Sequence, residues 1–315
     1  SVILSYSSFL EESLDAGETL LCLISGGASA LMTLPANGLT VDDIASTTTL
    51  LLRAGATIEE LNCVRKHVDR LKGGRLASIA FPGRVLALVL SDVVGDSLAT
   101  IASGPTVPDP TTVADAIAVL RSRGVWERLP ASIRTHLESA SDESPKAGDP
   151  RLVHAESHVI GSNVTAAEAA CAQAISLGYA ARVVTTSLTG EASVVGGEIV
   201  RAARDAWART GGRIALIYAG ETTVTVRGNG VGGRNQELVL GAAIAMDGVG
   251  GMAVVSLGTD GVDGPTDAAG AVADGDSICK ARAHGLDAGR GFLLEIDPVA
   301  RCHGQSRVCV SARAG

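Results

Sequence analysis

The sequence lacks long apolar runs, has few aromatic residues and carries no excess of basic charge. No apolar run in its 315 residues reaches the ~18 residues that a membrane-spanning helix needs, and its first residues show no secretory leader pattern. Aromatic residues make up 3% of the chain and the net charge is −8, so nucleic-acid phosphates would be repelled. We therefore predict a soluble, cytoplasmic protein that binds neither membrane nor nucleic acid.

Several catalytic and metal-binding patterns are also missing. The sequence contains no GxxxxGK[ST] phosphate loop, no paired-histidine zinc spacing and no GxSxG elbow, which argues against a Walker-type ATPase, a zinc hydrolase and an α/β-hydrolase. Its cysteines show no CxxC spacing and are predicted to be reduced thiols. They lie at positions 22, 63, 171, 279, 302 and 309.

What the sequence has is glycine, at 38 positions, and short apolar runs that alternate with helical patterns. This alternation is typical of an α/β protein with parallel sheets, whose ligands bind beyond the carboxyl ends of the strands. The predicted strands are Leu20–Ile24, Val85–Leu90, His158–Ile160, Arg182–Val184, Ile214–Tyr218 and Met252–Ser256.

Helix starts are marked by capping-box spacing at Thr40 with Asp43 and at Thr57 with Glu60. Gly73-Gly74 is predicted to stop a helix after Leu71-Lys72. We predict two domains, 1–186 and 187–315, with a long helix from about 191 to 210 and an irregular tail after about 287.

The most informative stretch is the loop Ser256 to Gly270, which places Asp260, Asp263 and Asp267 among glycines and alanines after an apolar strand. Carboxylates beside backbone that a ligand can approach suit a metal-bridged phosphate or a polyol. The alternative is a solvated turn in which these residues serve only backbone geometry.

Two further clusters follow predicted strands. Ser25-Gly26-Gly27-Ala-Ser29 offers free N–H groups for an anion, or is a tight turn with no ligand. Asp92 and Asp96 could ligate Mg²⁺ directly or through water, or could cap a helix.

The run Asn62-Cys-Val-Arg-Lys-His67 concentrates positive charge in an acidic protein. Arg65 or Lys66 could neutralise a phosphate or a substrate carboxylate. An ordinary solvated helix face is the alternative.

Gly228-Asn-Gly-Val-Gly232-Gly233 has GxGxxG spacing and raises a nicotinamide-dependent reductase as a rival function. No acid for a ribose follows about twenty residues later, so we favour a phosphate-cradling turn in which Arg234 balances charge.

These clusters occur in one order, together with Lys72-Gly-Gly-Arg-Leu76, Ser103-Gly-Pro-Thr106, Gly220-Glu221-Thr-Thr-Val224 and Gly233-Arg-Asn235-Gln-Glu-Leu238. The ordered set closely resembles the glycerate 2-kinase family, whose C-terminal half is the MOFRL domain. The resemblance implies a Rossmann-like domain followed by a smaller α/β domain, and ATP- and Mg²⁺-dependent phosphorylation of D-glycerate to 2-phosphoglycerate. It implies catalytic roles for Arg65, Lys66 and Arg234.

The resemblance also implies two further groups of site residues. Substrate or phosphate would be bound by Ser25, Gly26, Gly27, Ser29, Asn62, Glu221, Gly232, Gly233 and Asn235. The metal would be held by Asp92, Asp96, Asp260 and Asp263.

Both ends of the sequence depart from the family. A leading segment with a Gly-Lys-Ala stretch and a closing Thr-Gly-Pro-Thr-Gly-Thr-Asn-Val-like run are absent, which predicts low turnover for the chain as it stands. A catalytically silent ligand-binding homologue therefore stays open. A hydroxypyruvate reductase, a name also given to relatives, stays open as a further rival function, and a homodimer is a separate expectation.

Overall fold

The computed structural model describes residues 14–25, 27–91, 93, 95–139, 143–226, 231–285 and 307–313, the last range as backbone alone. The chain forms two compact units, Ser1–Ile160 and Gly161–Gly315. This division falls earlier in the chain than the boundary at 186/187 expected from the sequence. That boundary stays a prediction about the domains.

The first unit contains a three-stranded sheet and a group of helices. β1 runs parallel to β2, with Thr19 opposite Arg84 and Ile24 opposite Val89, and the strand order is β1-β2-β3. The strands are β1 Thr19–Ile24, β2 Arg84–Ser91 and β3 Ala155–Ser162. The helices are α1 Ala28–Leu31, α2 Val41–Arg53, α3 Ile58–Val68, α4 Arg75–Ala80, α5 Val113–Ser122 and α6 Ala131–Glu138.

Both predicted capping boxes are present, and they start α2 at Thr40 and α3 at Thr57. In each, the threonine hydroxyl accepts from a backbone N–H while the acidic side chain accepts from the threonine N–H, so two otherwise unpaired donors are satisfied. The helices they start pack with α5 and α6 around one apolar cluster that includes Leu51, Val64 and Ile133.

The predicted helix stop at Gly73-Gly74 is wrong. Helix α3 ends earlier, at Val68, because Asp69 takes an extended conformation and its carboxylate accepts from the Leu71 N–H at 2.8 Å. Gly73 and Gly74 have φ of 60° and 82°, and Gly74 caps the start of α4 instead. The glycines are therefore needed for a left-handed turn between two helices.

The second unit contains a five-stranded sheet with the order β4-β5-β8-β6-β7. Neighbours are parallel except β6 and β7, which are antiparallel. The strands are β4 Ala180–Leu188, β5 Ile214–Gly220, β6 Met252–Gly258, β7 Gly270–Asp274 and β8 Arg307–Arg313. The helices are α7 Asn163–Ser176, α8 Ala192–Thr210, α9 Arg234–Ala245 and α10 Ser277–Ala283.

Successive side chains of β5 point to opposite faces of this sheet, and helices pack on both faces. Leu216 and Tyr218 pack with residues of α8 and α9, whereas Ala215 and Ile217 pack with α7. A Cβ on Gly196 of α8 would lie 2.1 Å from the Leu238 carbonyl oxygen of α9, so that glycine permits close helix contact. The second unit is thus a three-layer α/β/α arrangement.

All six predicted strands and the long helix are found. Two strands were not predicted, β7 and β8. Strand β8 lies in the tail that was expected to be irregular, and its backbone fills the place between β5 and β6. Because this place is set by partners far away in the sequence, local periodicity gives little sign of it.

Candidate functional site

The turn after β1 leads into the short helix α1. Ser25 is exposed, and Gly27 has a φ of 80° at the start of α1, a conformation that favours glycine. Gly26 lies outside the described residues. Ser29, in the first turn of α1, places its hydroxyl 3.3 Å from the Ser103 hydroxyl, which ties this turn to a distant loop.

Ser29, Asn62 and Ser103 form one hydrogen-bonded group, here called the serine cluster. The Ser103 hydroxyl donates to Asn62 Oδ1 at 2.8 Å, and Asn62 Nδ2 donates to the Thr100 carbonyl at 3.2 Å. Asn62 is 3% exposed and Ser103 is fully buried. Both polar atoms of Asn62 are thus occupied inside the protein, so Asn62 supports the turn rather than facing solvent.

The loop that carries Ser103 has strained backbone. Ala102, Ser103 and Gly104 have φ of 52°, 60° and 63°, and a non-glycine residue pays of order 1–3 kcal/mol for this region. The loop is held by hydrogen bonds from the Gly73 N–H to the Ser103 carbonyl at 3.0 Å and from the Gly74 N–H to the Gly104 carbonyl at 2.7 Å. Strain held in place by several bonds is a frequent feature of ligand sites.

Arg65 projects from α3 beside this cluster, because it follows Asn62 by three positions and so shares its helix face. The residue is partly buried. Burial lowers the pKa of its guanidinium, and the nearby Asp69 carboxylate opposes that change. Arg65 makes no ion pair or hydrogen bond with a residue that the structure describes. It is a cation available to an external anion.

Lys66, predicted to act beside Arg65, points elsewhere. Its Nζ lies 3.1 Å from Asp109 Oδ1, and both side chains are buried. Burial disfavours the charged form of Asp109, but hydrogen bonds from Thr111 and Ser144 and the charge of Lys66 outweigh it and hold the pKa of that carboxyl below its usual value. Lys66 therefore has a structural partner, and its role as a phosphate contact stays a prediction.

Of the two acids after β2, Asp92 lies outside the described residues. Asp96 has a φ of 52°, and its Oδ1 is buried with no hydrogen-bond partner among the described residues. An unpaired buried carboxylate oxygen is costly unless a ligand or an ion satisfies it. Asp96 is therefore the described acid of the first unit whose surroundings suit a cation.

In the second unit, Asp263 is built into the start of α9. Its Oδ1 accepts from the Asn235 N–H at 3.0 Å and from the Asn235 side-chain amide at 2.9 Å, and its Oδ2 accepts from the Gln236 N–H at 2.9 Å. Asp263 is 1% exposed. A carboxylate at this position satisfies unpaired N–H groups and interacts favourably with the helix dipole, so the geometry assigns Asp263 to the helix end.

The glycines before α9 differ from each other. A Cβ on Gly233 would lie 2.2 Å from Asp263 Cγ, whereas a Cβ on Gly232 would meet nothing within 4 Å. Gly233 is thus required for the Asp263 carboxylate to reach the helix, and Gly232 leaves open space beside it.

Arg234, the first residue of α9, forms an ion pair with Glu221 and donates to the Thr222 carbonyl at 3.3 Å. Both of these partners follow β5 directly, so the carboxyl end of that strand and the start of α9 meet here. Arg234 and Glu221 are each partly exposed, which leaves the guanidinium within reach of a ligand.

Asp260 differs from Asp263. It is exposed, and within the described ranges its Oδ1 accepts a single hydrogen bond, from the Val262 N–H at 3.2 Å. Asp267 is also exposed. Among the described residues no group of three or more acidic, histidine or cysteine side chains is assembled for a metal ion. Any ion here would need oxygens from a ligand or from water.

Sequence reasoning missed three residues that organise the first unit: Asp69, Lys72 and Ser103. Lys72 and Asp69 form a buried ion pair at 2.6 Å, but both lie between α3 and α4, so helical spacing gives no sign of the pair. Nothing local indicates the left-handed backbone of Ser103.

Among the described helices, none is both long and apolar enough to cross a lipid bilayer.

Family models match both units. The model described as a domain of unknown function, DUF4147, matches residues 8–138, and the MOFRL family model matches residues 214–303. The chain is therefore an α/β protein with a MOFRL domain in its second half.

Among known proteins, the chain is similar in sequence to glycerate 2-kinases. The chain is 44% identical over 281 residues to a D-glycerate 2-kinase of Thermotoga maritima, and 43% identical over 270 residues to a glycerate 2-kinase of Pyrococcus horikoshii. These matches cover 88% and 84% of this chain, and 65% and 61% of the relatives. The chain thus spans slightly less than two thirds of the length of these relatives.

A solved structure is also similar to this chain. The crystal structure of a glycerate kinase from Thermotoga maritima superposes with a TM-score of 0.80 at 41% identity, covering 91% of this chain and 69% of that one. The chain belongs to the glycerate 2-kinase family. This confirms the family and the α/β fold class predicted from the ordered motifs.

Proposed function

We propose that the protein containing this chain transfers the γ-phosphoryl group of ATP to the C2 hydroxyl of D-glycerate. The observation that carries the proposal is the 44% identity over 281 residues to a D-glycerate 2-kinase, because this similarity extends over 88% of the chain. An active enzyme is favoured over a silent ligand-binding homologue because the described structure assembles hydrogen-bonded polar groups around Ser29 and at the start of α9.

In this proposal the first unit binds glycerate. The partly buried Arg65, which has no described partner, pairs with the carboxylate of glycerate, since a guanidinium suits two-point binding of a carboxylate. The turn around Ser29 supplies polar groups for the hydroxyls, and the bonds from Asn62 and Ser103 keep that turn in place. Fixed groups of this kind lower the entropic cost of reaching the reactive geometry.

The second unit binds phosphate. The guanidinium of Arg234 exchanges its exposed partner Glu221 for a phosphate oxygen of the nucleotide. Phosphoryl transfer depends mainly on positioning and on balancing the charge of the phosphoryl oxygens, and Arg234 supplies positive charge at a helix start that Asp263 holds rigid. Gly232 leaves space there for a phosphate.

Magnesium is part of the proposal, and the acids differ in how well they fit it. Asp96 fits because its buried Oδ1 lacks a partner, and Asp260 fits because it is exposed and has one weakly engaged oxygen. Asp263 does not fit, since both its oxygens accept N–H groups. When bound, Mg²⁺ neutralises charge on the nucleotide phosphates.

A cytoplasmic location and a homodimer stay predictions.

The test is ADP release by the full-length protein with ATP, Mg²⁺ and D-glycerate. L-Glycerate serves as the stereochemical control, and oxidation of NADH with hydroxypyruvate is followed in parallel. We expect ADP release that depends on D-glycerate and no NADH oxidation. NADH oxidation without D-glycerate-dependent ADP release would replace the kinase with the reductase. If the protein shows neither activity, the silent homologue is favoured.

A further inference from the structure

Lys72 lies in the Lys72-Gly-Gly-Arg-Leu76 motif, and the proposed site leaves it without a role. It is 1% exposed, and its Nζ donates to the Met32 carbonyl at 2.6 Å, the Thr33 hydroxyl at 3.2 Å and Asp69 Oδ2 at 2.6 Å. All three ammonium protons of Lys72 are thus used within the protein. Such a lysine cannot contact substrate, so any influence on a ligand acts through a neighbour.

Asp69 is equally enclosed. It is 2% exposed, and besides Lys72 it accepts from the Leu71 N–H at 2.8 Å and the Leu34 N–H at 3.2 Å. Burial raises the pKa of Asp69 and lowers that of Lys72, while their mutual attraction opposes both changes. The pair is electrically neutral as a unit, so Asp69 carries no uncompensated charge that would attract a second cation.

Arg65 is the neighbour through which Lys72 acts. It lies in the last turn of α3, four positions before Asp69, the residue that directly follows the helix, and it is close enough for the Asp69 charge to act on its pKa and for its own charge to act on the pKa of Lys72. Even so, the described structure contains no ion pair between them. A buried carboxylate without a partner is strongly destabilising, so Asp69 would take Arg65 as its partner if Lys72 did not hold it.

We propose that Lys72 is a positioning residue that occupies the Asp69 carboxylate and thereby leaves the Arg65 guanidinium free for an anionic group of the substrate. This inference rests on the proposed function of Arg65. The same lysine also fixes the chain just after α1 through the Met32 carbonyl. Lys72 therefore holds both the turn that carries Ser29 and the charge available to glycerate.

The test measures the reactivity of Arg65 and needs no substrate. Phenylglyoxal, an arginine-selective reagent, modifies the full-length protein, and peptide mass spectrometry gives the rate at Arg65 relative to the exposed Arg53. In Lys72→Met we expect about a tenfold slower rate at Arg65, because a charge-assisted bond to Asp69 now engages it. In the double variant Asp69→Asn/Lys72→Met the rate should return to within about twofold of wild type, since neither charge remains.

An unchanged rate in Lys72→Met, or a double variant as slow as Lys72→Met, would overturn the proposal, because Lys72 would then act only on structure. If circular dichroism shows Lys72→Met unfolded, Lys72→Gln, which also removes the lysine charge, takes its place. A rate at Arg65 about tenfold below wild type, the size of one charge-assisted bond, supports the proposal, and an unchanged rate overturns it. Protection of wild-type Arg65 by D-glycerate and by inorganic phosphate is measured separately. Absence of protection removes Arg65 from the proposed site without changing the result on Lys72.

Discussion

The Asp263 carboxylate accepts the backbone N–H of Asn235 at 3.0 Å and its side-chain amide at 2.9 Å. Asn235 in turn accepts from the Ser256 hydroxyl at 2.6 Å. These bonds join β6, the loop after it and the start of α9 into one rigid unit. Asp263, predicted as a metal ligand, is therefore better placed to hold Arg234 in position.

Asp263→Asn should lower the free energy of unfolding by about 2 kcal/mol, because charge-assisted bonds of about 1.5–3 kcal/mol are lost at the start of α9. Urea denaturation measures the change. Asp260→Asn is the matched control, since Asp260 is exposed: its stability should stay within ~0.5 kcal/mol of wild type while Mg²⁺-dependent nucleotide binding weakens. Equal stability of the two variants would contradict the role of Asp263.

Gly233→Ala should destabilise the second unit, because the new Cβ would lie 2.2 Å from Asp263 Cγ. Overpacking of this kind costs roughly 1–3 kcal/mol. Gly232→Ala is the control, because its Cβ would enter open space. Thermal unfolding of both variants checks the prediction, and a larger loss in Gly232→Ala would show that the geometry at Asp263 is wrong.

Arg234→Ala should weaken nucleotide binding by about 1.5–3 kcal/mol, the range for a hydrogen bond to a charged group. Isothermal titration measures the affinity. Glu221→Gln separates the ion pair from the ligand contact: it removes the negative charge that pairs with Arg234 and should leave the affinity equal or higher. A loss in Glu221→Gln as large as that in Arg234→Ala would mean that the pair itself, and not the phosphate contact, supports binding.

Stability should fall at mildly acidic pH because of His67. Burial lowers the pKa of this ring, outweighing the hydrogen bond to the Cys63 carbonyl and the charges of Asp109 and Glu143. The unfolded chain binds the proton near pH ~6.5, whereas the folded chain keeps the ring neutral. The contribution of neutral His67 to the free energy of unfolding is therefore present above about pH 6.5 and is lost as the pH falls towards the lowered pKa.

Urea midpoints at about pH 7.5 and 5.5, on either side of the ordinary histidine pKa, check this. His67→Asn should show a smaller decrease between the two pH values than wild type. His158→Asn, which replaces an exposed ring, should show the wild-type decrease. A full decrease in His67→Asn would assign the pH dependence to other groups.

Part of this fold could be read from the sequence because the information is local. The apolar runs that form β1, β2, β5 and β6 and the capping boxes at Thr40 and Thr57 each depend on residues a few positions apart. The ordered motifs identified the family for a different reason, since their order along the chain resembles one family as a set.

The rest depends on contacts between distant residues. Lys66 and Asp109 are separated by 43 positions, so the sequence does not reveal that Lys66 turns inward while Arg65 has no ion-pair partner in the described part of the chain. Asp263 caps a helix that begins 29 residues earlier in the chain, and the same acid-glycine loop would suit a metal equally well. Burial and partner choice, which separate these alternatives, arise only in the folded chain.

The most direct measurement of the central claim is the position of the transferred phosphate. The full-length protein is incubated with ATP, Mg²⁺ and D-glycerate, and the product is examined by phosphorus-31 NMR, with Arg65→Ala and Arg234→Ala alongside. We predict phosphate on the C2 oxygen in amounts equal to the ADP formed, and far less product from either variant. Phosphate on another oxygen, no phosphorylated glycerate at all, or full activity in both variants would contradict the account.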